Sequence, residues 1–142
     1  MGSRMRLVWQ WVRTRIYDGV VAAGYDDLNR SHIGVFRFPG IDGLRPSEVA
    51  QEMQITKQSV NELLGHLERL GYLVRELDPN DSRARIIRLT NAGRKLERAV
   101  LREARAAEAE IAELVGPRRF AQLRTALDEL VRLTNPERTD VA

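Results

Sequence analysis

Two arginines, Arg83 and Arg85, follow a short polar stretch whose composition is typical of a turn. Residues 78–82 have the sequence DPNDS, and a β-branched pair follows at 86–87. Asp, Pro, Asn and Ser all favour turns, but folding alone does not require guanidinium groups in a solvated loop. The negative potential of a duplex minor groove attracts arginine side chains. The pattern therefore predicts an arginine-bearing hairpin that contacts nucleic acid.

Arg83 is predicted to lie at the tip of this hairpin, with Arg85 behind it in support. Asp81 leaves two interpretations open. A carboxylate at this position can form a bidentate pair with Arg83 and so orient it toward DNA. Aspartate is also common in turns for its backbone hydrogen bonds alone.

The segments on either side of the turn predict the elements that position these arginines. Residues 72–78 and 85–89 contain alternating, β-branched and aromatic residues, which predicts two antiparallel strands joined by a loop over 79–84. Thr90 then suits the N-cap of a long helix that extends to residue 115.

Two short helices are predicted immediately before the hairpin. The first covers 45–53, with Pro46 in the first turn, where its missing N–H costs nothing. Arg45 falls on the cap position, and because a guanidinium accepts no hydrogen bond, we expect an incomplete capping box. The second helix covers 56–70, with Thr56 as its N-cap and apolar residues at helical spacing.

The exposed face of the second helix carries side chains suited to DNA contact. Phosphate contacts are assigned to Thr56 and Lys57, and base-edge contacts to Gln58, Ser59 and Asn61, which both donate and accept hydrogen bonds. Every amphipathic helix also has a solvated polar face, so this helix alone leaves both interpretations open. The neighbouring arginine hairpin favours DNA.

Helical patterns also flank this region. Helices are predicted over 4–23, 26–36 and 117–134, a loop over 38–43, and a frayed tail after 135–136. The predicted fold class is therefore mostly α (α+β). It is a winged helix-turn-helix with a two-stranded wing, plus N- and C-terminal helices.

Composition excludes several classes of protein. The 142 residues suffice for one ordinary domain, and the fractions of hydrophobic (43%) and charged (30%) residues are those of a globular chain. Cysteine is absent, which removes disulfides, thiol redox sensing and cysteine-based zinc sites. No apolar run nears the ~18–20 residues of a membrane span. We therefore expect a cytoplasmic protein with no membrane partner.

Charge raises nucleic acid as a partner without establishing it. The net charge is only +3, but residues 56–95 hold eight basic residues against five acidic ones. A mixed, solvated surface explains that balance as well as nucleic acid does. The sequence has no nucleophile–base motif, phosphate-cradling glycine loop or metal-ligand cluster. We therefore expect neither an enzyme nor a cofactor or metal.

The chain resembles the MarR family of transcriptional regulators in two stretches, RPSEVAQEMQITKQSVNELLGHLERLGYLVR (45–75) and DPNDSRARIIRLTNAGRKL (78–96). The second resembles the family's wing signature, an acidic turn with basic residues that leads to Leu-Thr-x-x-Gly. The resemblance implies one continuous homodimeric unit: N-terminal helices (1–36) and C-terminal helices (91–142) for dimerisation, and a DNA-binding lobe (37–90). It also implies a pseudo-palindromic target with half-sites ~34–36 Å apart.

Two residues depart from the family's pattern. Glu62 stands on the second helix where many relatives have a basic or neutral residue. An acid there repels phosphate, unless it contacts cytosine N4 or faces away. Ser82 stands where the wing often carries another arginine, which predicts a weaker salt dependence and a lower affinity.

The resemblance further implies a small aromatic or phenolic effector, because many relatives bind aromatic acids between the dimer helices and the DNA-binding lobe. The candidates here are Trp11, Arg15, His32 and Phe36. An arginine can bind a carboxylate while aromatic side chains cover a ring. Core packing is the stronger interpretation for Trp11 and Phe36, and a polar rim position for His32.

The resulting prediction is a sequence-specific DNA-binding regulator, acting as a repressor and released by a small aromatic ligand. Its expected partners are double-stranded DNA and a second copy of the chain. The alternative is a winged helix used for protein–protein contact without a ligand response, supported by Glu62 and the modest net charge.

Overall fold

The structure, a computed structural model, describes residues 1–36 and 40–135. Its elements, in chain order, are α1 (Gly2–Ala22), α2 (Arg30–Val35), α3 (Pro46–Met53), α4 (Lys57–Arg69), β1 (Leu73–Asp78), β2 (Asp81–Leu89), α5 (Asn91–Val115) and α6 (Pro117–Thr134). The tail predicted after residue 135 and the first two residues of the predicted loop over 38–43 lie outside the described residues. Within those residues, none of the helices has the length and apolarity needed to cross a membrane.

The predicted fold class is confirmed, since helices dominate and β1 and β2 form a two-stranded antiparallel sheet. The number and order of the elements agree with the sequence pattern. The first helix begins two residues before its predicted start. It ends near the predicted place because Gly24 has a φ of +102°, a conformation that glycine adopts without steric cost.

The second helix is shorter than predicted, because Asn29 caps it. The side chain of Asn29 accepts hydrogen bonds from the N–H groups of Ser31 (2.9 Å) and His32 (3.0 Å). In return, Nδ1 of His32 accepts one from the backbone N–H of Asn29 at 3.1 Å. This is a reciprocal capping box in which histidine takes the place usual for Glu or Gln. The predicted helical residues 26–29 therefore lie outside the helix.

Helices α3 and α4 form the helix-turn-helix. Thr56 caps α4 as predicted, its Oγ1 accepting from the N–H of Ser59 at 3.1 Å. The turn between the helices places Gln54 in the left-handed region, with φ 54° and ψ 43°, a strained conformation for a residue with a Cβ. One face of α4 is buried in the core, where Leu64 and Leu67 are fully covered.

The hairpin contains an irregularity that the sequence pattern did not predict. β1 and β2 pair regularly as far as Leu77 opposite Arg85, but the next pair is Asp78 opposite Asp81. Residues 82–84 therefore bulge from β2 with no partners in β1. A bulge bends and twists a strand and re-aims its side chains.

The tip of the hairpin consists of Pro79 and Asn80 alone, in place of the predicted loop over 79–84. Asp78 forms this turn, since its Oδ1 accepts a hydrogen bond from the N–H of Asn80 at 2.8 Å. Arg83 therefore lies in the bulge beside the tip and not at the tip itself.

The segment before α3 lies along the outer edge of β2. The N–H of Gly43 donates to the carbonyl of Ile87 at 2.7 Å, and the N–H of Ile87 donates to the carbonyl of Leu44 at 2.8 Å. Asp42 adds an Oδ1 that accepts from the N–H of Leu89 at 2.8 Å. These bonds satisfy the backbone groups of an edge strand and attach the root of the hairpin to the helix-turn-helix.

Residues 1–104 form one compact unit, and a second begins at Arg105. The first unit has a core to which most of its elements contribute. Its largest fully buried side chains are Val20, Phe36, Val49, Val60, Leu64, Leu67, Leu73, Ile87, Leu96 and Val100. Because this core includes residues of both α4 and the hairpin, the two elements have fixed positions relative to each other.

In the second unit, α6 considered by itself carries an uncovered apolar stripe. It buries none of its residues. The four leucines Leu123, Leu127, Leu130 and Leu133 are 42–68% exposed. Such a stripe is the usual sign of a face that another helix covers.

Candidate nucleic-acid interface

The N-terminal end of α4 presents the side chains that the sequence assigned to DNA contact. Thr56, Lys57, Gln58, Ser59 and Asn61 are all exposed, while the opposite face of the helix is buried. The aligned peptide dipoles place partial positive charge at this end of the helix. Lys57 adds a full positive charge, so the surface favours phosphate.

Three of these side chains have hydrogen-bond partners within this part of the chain. Thr56 Oγ1 donates to Ser59 Oγ at 2.9 Å, and Gln58 Nε2 donates to Glu62 Oε1 at 3.2 Å. An ionised carboxylate has no proton to donate, so the amide nitrogen of Gln58 faces Glu62. The amide oxygen of Gln58 then remains available to a donor group on a partner.

Glu62 therefore has a partner on its own helix, one turn away. The sequence left open whether this acid contacts cytosine or faces away. It is exposed and, through the contact with Gln58, belongs to the same polar surface. A side-chain pair at this spacing is worth only about 0.2–0.5 kcal/mol, but it selects one orientation of the Gln58 amide.

Arg83 extends from the bulge at residues 82–84 and is exposed. Among the described residues, none forms a hydrogen bond or ion pair with its guanidinium. The sequence pattern predicted Arg83 at the tip of the hairpin, whereas the structure places it in the bulge beside the tip. An uncompensated guanidinium on a protruding bulge is suited to a groove of negative potential.

The predicted side-chain pair between Asp81 and Arg83 is not formed in the described part of the chain. Asp81 Oδ1 instead accepts from the backbone N–H of Arg83 at 3.0 Å, which is the turn contact that the alternative interpretation expected. Its Oδ2 lies 3.9 Å from Nη1 of Arg45. Asp81 therefore supports the backbone of Arg83 and leaves the guanidinium unpaired.

Arg85, the second arginine of the hairpin, follows the bulge directly and pairs with Leu77 of β1. It is exposed, and its Nη1 lies 3.4 Å from the carbonyl of Arg75. Arg75 in turn binds Glu68 of α4, with 2.9 Å between Nη2 and Oε2 and 3.1 Å between its N–H and Oε1. The hydrogen bonds from Arg75 hold the pKa of Glu68 below its usual value. These contacts attach the middle of β1 to α4.

The sequence pattern did not predict the ion pair between Arg45 and Asp78. Nε and Nη2 of Arg45 lie 2.8 and 2.6 Å from Asp78 Oδ2. The N–H of Asn80 and then the Arg45 guanidinium hold the pKa of Asp78 below its usual value, and Asp78 raises the pKa of Arg45. A signal was available in the sequence, because arginine serves no capping purpose at a helix N-cap.

The four effector candidates occupy different environments. Phe36 is fully buried and His32 is 2% exposed, so neither offers a surface to a ligand. The core interpretation is correct for Phe36 and wrong for Trp11, which is 39% exposed. Arg15 pairs with Glu103, at 3.1 Å between Nη1 and Oε2, and both line an open depression of about 580 Å³.

The burial of His32 corrects the polar rim position that the sequence predicted for it. Its ring stands edge-on to that of His66 in α4, and its Nδ1 accepts the capping bond from Asn29. Burial first, and the neighbouring His66 second, lower the pKa of His32, while Asp27 acts in the opposite direction. His32 is therefore a neutral structural residue that links α2 to α4.

The chemistry of this surface is that of anion binding and hydrogen-bond recognition. Across residues 1–36 and 40–135, no group of three or more histidine, aspartate or glutamate side chains is placed to hold a metal ion. The end of α4 and the bulge instead offer cationic groups for phosphates and amide or hydroxyl groups for base edges.

Part of the chain matches a known protein family. Residues 26–84 match the model of the MarR family, a range that includes α2, the helix-turn-helix and the hairpin as far as the bulge. Among curated protein sequences, none matches the chain.

Solved structures resemble nearly the whole chain. A MarR-family transcriptional regulator from Rhodococcus sp. RHA1 is 25% identical, with 95% of this chain and 94% of that chain covered and a TM-score of 0.72. CouR from Rhodococcus jostii RHA1, bound to p-coumaroyl-CoA, is 26% identical over 99% of this chain and 94% of that one, with a TM-score of 0.73. The transcriptional repressor CouR bound to a 23-mer DNA duplex matches in fold, at 23% identity, 93% and 92% coverage and a TM-score of 0.74.

Proposed function

We propose that this chain, whose residues 26–84 match the model of the MarR family of transcriptional regulators, is a homodimeric, sequence-specific DNA-binding repressor. Its target is a pseudo-palindromic operator whose half-sites lie one helical turn, ~34–36 Å, apart. In each copy α4 enters the major groove, and the hairpin acts as a wing that reaches the adjacent minor groove. The proposal is for a regulator and not for an enzyme.

The observation that carries this proposal is that two exposed, cationic features lie on one compact unit. They are the N-terminal face of α4 and the Arg83 bulge, and both belong to residues 1–104. The ion pair of Arg75 with Glu68 connects the hairpin to α4. In this proposal Thr56 and Lys57 contact phosphates. Base edges are contacted by Gln58, Ser59 and Asn61, and the minor groove is contacted by Arg83 and Arg85.

Uncovered apolar side chains support the homodimer. On α1, a group of large apolar residues is 39–57% exposed in the single chain: Met5, Leu7, Val8, Trp9 and Trp11. The leucine stripe of α6 is exposed as well. A concentration of exposed large apolar side chains on two helices is a mark of an interaction site. We assign both faces to contacts with the second copy.

A small aromatic acid or its thioester is the proposed effector. CouR, which is similar over nearly the whole chain, was solved with p-coumaroyl-CoA. Since Phe36 and His32 are buried, Trp11 and Arg15 remain as the candidates in this chain. A ligand carboxylate at Arg15 would compete with Glu103, which now pairs with that arginine.

Selection of duplexes from a random pool by the purified chain tests the DNA part of the proposal. A palindromic winner with half-sites about one helical turn apart, bound by a dimer, is the expected result. Loss of binding with rising salt should follow, because phosphate contacts release counterions. Recovery of no preferred sequence, with binding that random duplex competes away equally, would overturn sequence-specific recognition. Absence of any duplex binding would favour the protein-contact alternative.

Titration of aromatic acids and p-coumaroyl-CoA into the protein–operator complex tests the effector part. Release of DNA by one of them, weakened in Arg15→Ala, is expected. Trp11→Phe serves as a second variant, because it keeps an aromatic ring but reduces its area. If none of these compounds changes operator affinity, the effector proposal fails and the DNA proposal is unaffected.

A further inference from the structure

Arg45 is an unusual residue at the start of a helix. The N-cap of α3 is normally filled by Ser, Thr, Asp or Asn, whose side chains accept from the helix's first N–H groups. Arg45 has the extended backbone of an N-cap, but its side chain accepts nothing there. Instead, Glu48 accepts from the N–H of Arg45 at 2.7 Å. The side chain of Arg45 is therefore free to act elsewhere.

That side chain reaches the end of the hairpin, 33 residues along the chain. Both Nε and Nη2 of Arg45 bind Oδ2 of Asp78, the last residue of β1. The other oxygen of Asp78 accepts from Asn80 in the tip, so both oxygens of this carboxylate are used. Asp78 is 8% exposed, and the side chain of Arg45 is 40% exposed.

The same arginine is also close to the second acid of the turn. Its Nη1 lies 3.9 Å from Oδ2 of Asp81, and Oδ1 of Asp81 accepts from the N–H of Arg83. Arg45 is therefore connected through Asp81 to the backbone of Arg83 in the bulge, and through Asp78 to the backbone of Asn80 at the tip.

The other attachments of the hairpin lie nearer its root. Gly43 and Leu44 bond to Ile87, and Glu68 bonds to Arg75. Residues 78–84 lie beyond all of these. A two-stranded hairpin has marginal stability by itself, so its far end needs a further contact to keep one position.

We propose that Arg45 is a positioning residue for DNA binding, whose contacts with Asp78 and Asp81 hold the bulge so that Arg83 meets the duplex in a preset place. A side chain ordered before binding loses less conformational freedom on binding. The inference rests on the proposed DNA-binding function and assigns Arg45 no contact with DNA.

Arg45→Thr tests this inference, because threonine restores a capping side chain to α3 while it removes the guanidinium. Affinity for the selected duplex is measured for the wild type, Arg45→Thr, Arg83→Ala and the double variant, with thermal unfolding as a check on folding. We expect Arg45→Thr to weaken binding about tenfold in the wild type but about threefold or less beside Arg83→Ala, since coupled residues are non-additive. Equal losses in both backgrounds, or none, would overturn the inference.

Amide hydrogen exchange provides a readout that does not depend on DNA. The N–H of Arg83 is bonded to Asp81, and Arg45→Thr should speed its exchange while the N–H of Ile87 at the hairpin root stays protected. Arg45→Lys keeps the positive charge but not the planar set of guanidinium donors. The exchange rate of the Arg83 N–H in this variant should lie between those of the wild type and Arg45→Thr. Unchanged exchange at Arg83 would count against the inference.

The two proposals fail in different ways. If the wild type selects no duplex, the DNA-binding function fails. If the wild type binds and Arg83→Ala weakens binding, but Arg45→Thr changes neither affinity nor exchange, only the role of Arg45 fails.

Discussion

The imidazole ring of His32 stands edge-on to that of His66, with ring centroids 4.3 Å apart and 88° between the ring planes. His32 also accepts the capping hydrogen bond from Asn29 through Nδ1. One neutral side chain thus joins the start of α2 to α4, the helix proposed to enter the major groove. Protonation of His32 would remove its acceptor and place a positive charge beside His66.

We expect the chain to lose stability as the pH falls below the ordinary histidine pKa of 6.5. Burial lowers the pKa of folded His32 below that value, so the unfolded state binds the proton more readily. The stabilising contribution is therefore complete above pH 6.5 and is lost as the pH falls through the lowered pKa. The temperature of thermal unfolding should vary less with pH in His32→Gln than in the wild type. The glutamine amide oxygen can still accept the hydrogen bond at the cap. Identical pH profiles would exclude His32 as the cause.

Gly93→Ala should destabilise the fold. A Cβ at Gly93 would overlap the carbonyl oxygen of Tyr72, which is held by a 3.1 Å hydrogen bond from the N–H of Thr90. The backbone cannot move aside as a flexible side chain can. We therefore expect the free energy of unfolding, measured by chemical denaturation, to fall by about 1–3 kcal/mol. Gly34→Ala is the control: it lies inside α2 with nothing within 4 Å of an added Cβ, and it should stabilise by about 0.5–1 kcal/mol.

Arg83→Ala should weaken operator binding by about 1–3 kcal/mol, most strongly where A·T-rich sequence narrows the minor groove. The opposite change is Ser82→Arg, which adds a cation to the same bulge. It should make the dependence of log affinity on log salt steeper by about 0.9 per new phosphate contact. Binding isotherms at several salt concentrations measure both effects. An Arg83→Ala variant with undiminished affinity would refute the assignment of the bulge to DNA.

Glu62→Gln should change base preference as well as affinity. The contact with Glu62 occupies the amide nitrogen of Gln58, so the amide oxygen favours base edges that donate, namely the amino groups of adenine and cytosine. Removal of the charge should raise affinity for all sequences and relax preference at the base that Gln58 contacts. Affinities for operators altered at that base measure the effect. A uniform gain with unchanged preference would show that Glu62 acts through charge alone.

Stability should also fall at high pH because of Tyr72. Burial first, and the hydrogen bond to Asp27 second, raise the pKa of Tyr72 to about 12; its hydroxyl donates to Asp27 Oδ1 at 3.0 Å. The unfolded phenol ionises near pH 10, so this contribution is complete below that pH and is lost as the pH rises toward 12. Tyr72→Phe should flatten the alkaline limb of the stability profile. The phenolate absorbance that is missing from this variant identifies the titration of Tyr72 in the folded chain. A midpoint near pH 10 for that absorbance would contradict the raised pKa.

Local patterns in the sequence predicted most of the secondary structure. The cap at Thr56 and the break at 116–117 depend on residues within a few positions of each other, and both are confirmed. α2 departed from prediction because its cap uses His32 as the reciprocal acceptor, a choice outside the usual pattern of Glu or Gln.

The candidate surface could be predicted in part. The exposed face of α4 followed from helical periodicity, because the apolar stripe determines which side faces solvent. The bulge could not be predicted, since the register of a hairpin depends on how its turn is held. Here Asp78, bound to Arg45 from another helix, forms that turn. The exposure of Trp11 and the burial of His32 likewise depend on which elements pack together.

Local sequence was enough to predict most of the helices, the hairpin, the polar face of α4 and the resemblance to the MarR family. These depend on periodicity, caps and short motifs, whose physics acts over one or two turns of chain. The packing of separate elements was needed to place Arg83 in the bulge and to bring Arg45 to the end of the hairpin. Arg45 and Asp78 are 33 positions apart, and which side chains meet at that separation is settled only when the shared core brings their elements together.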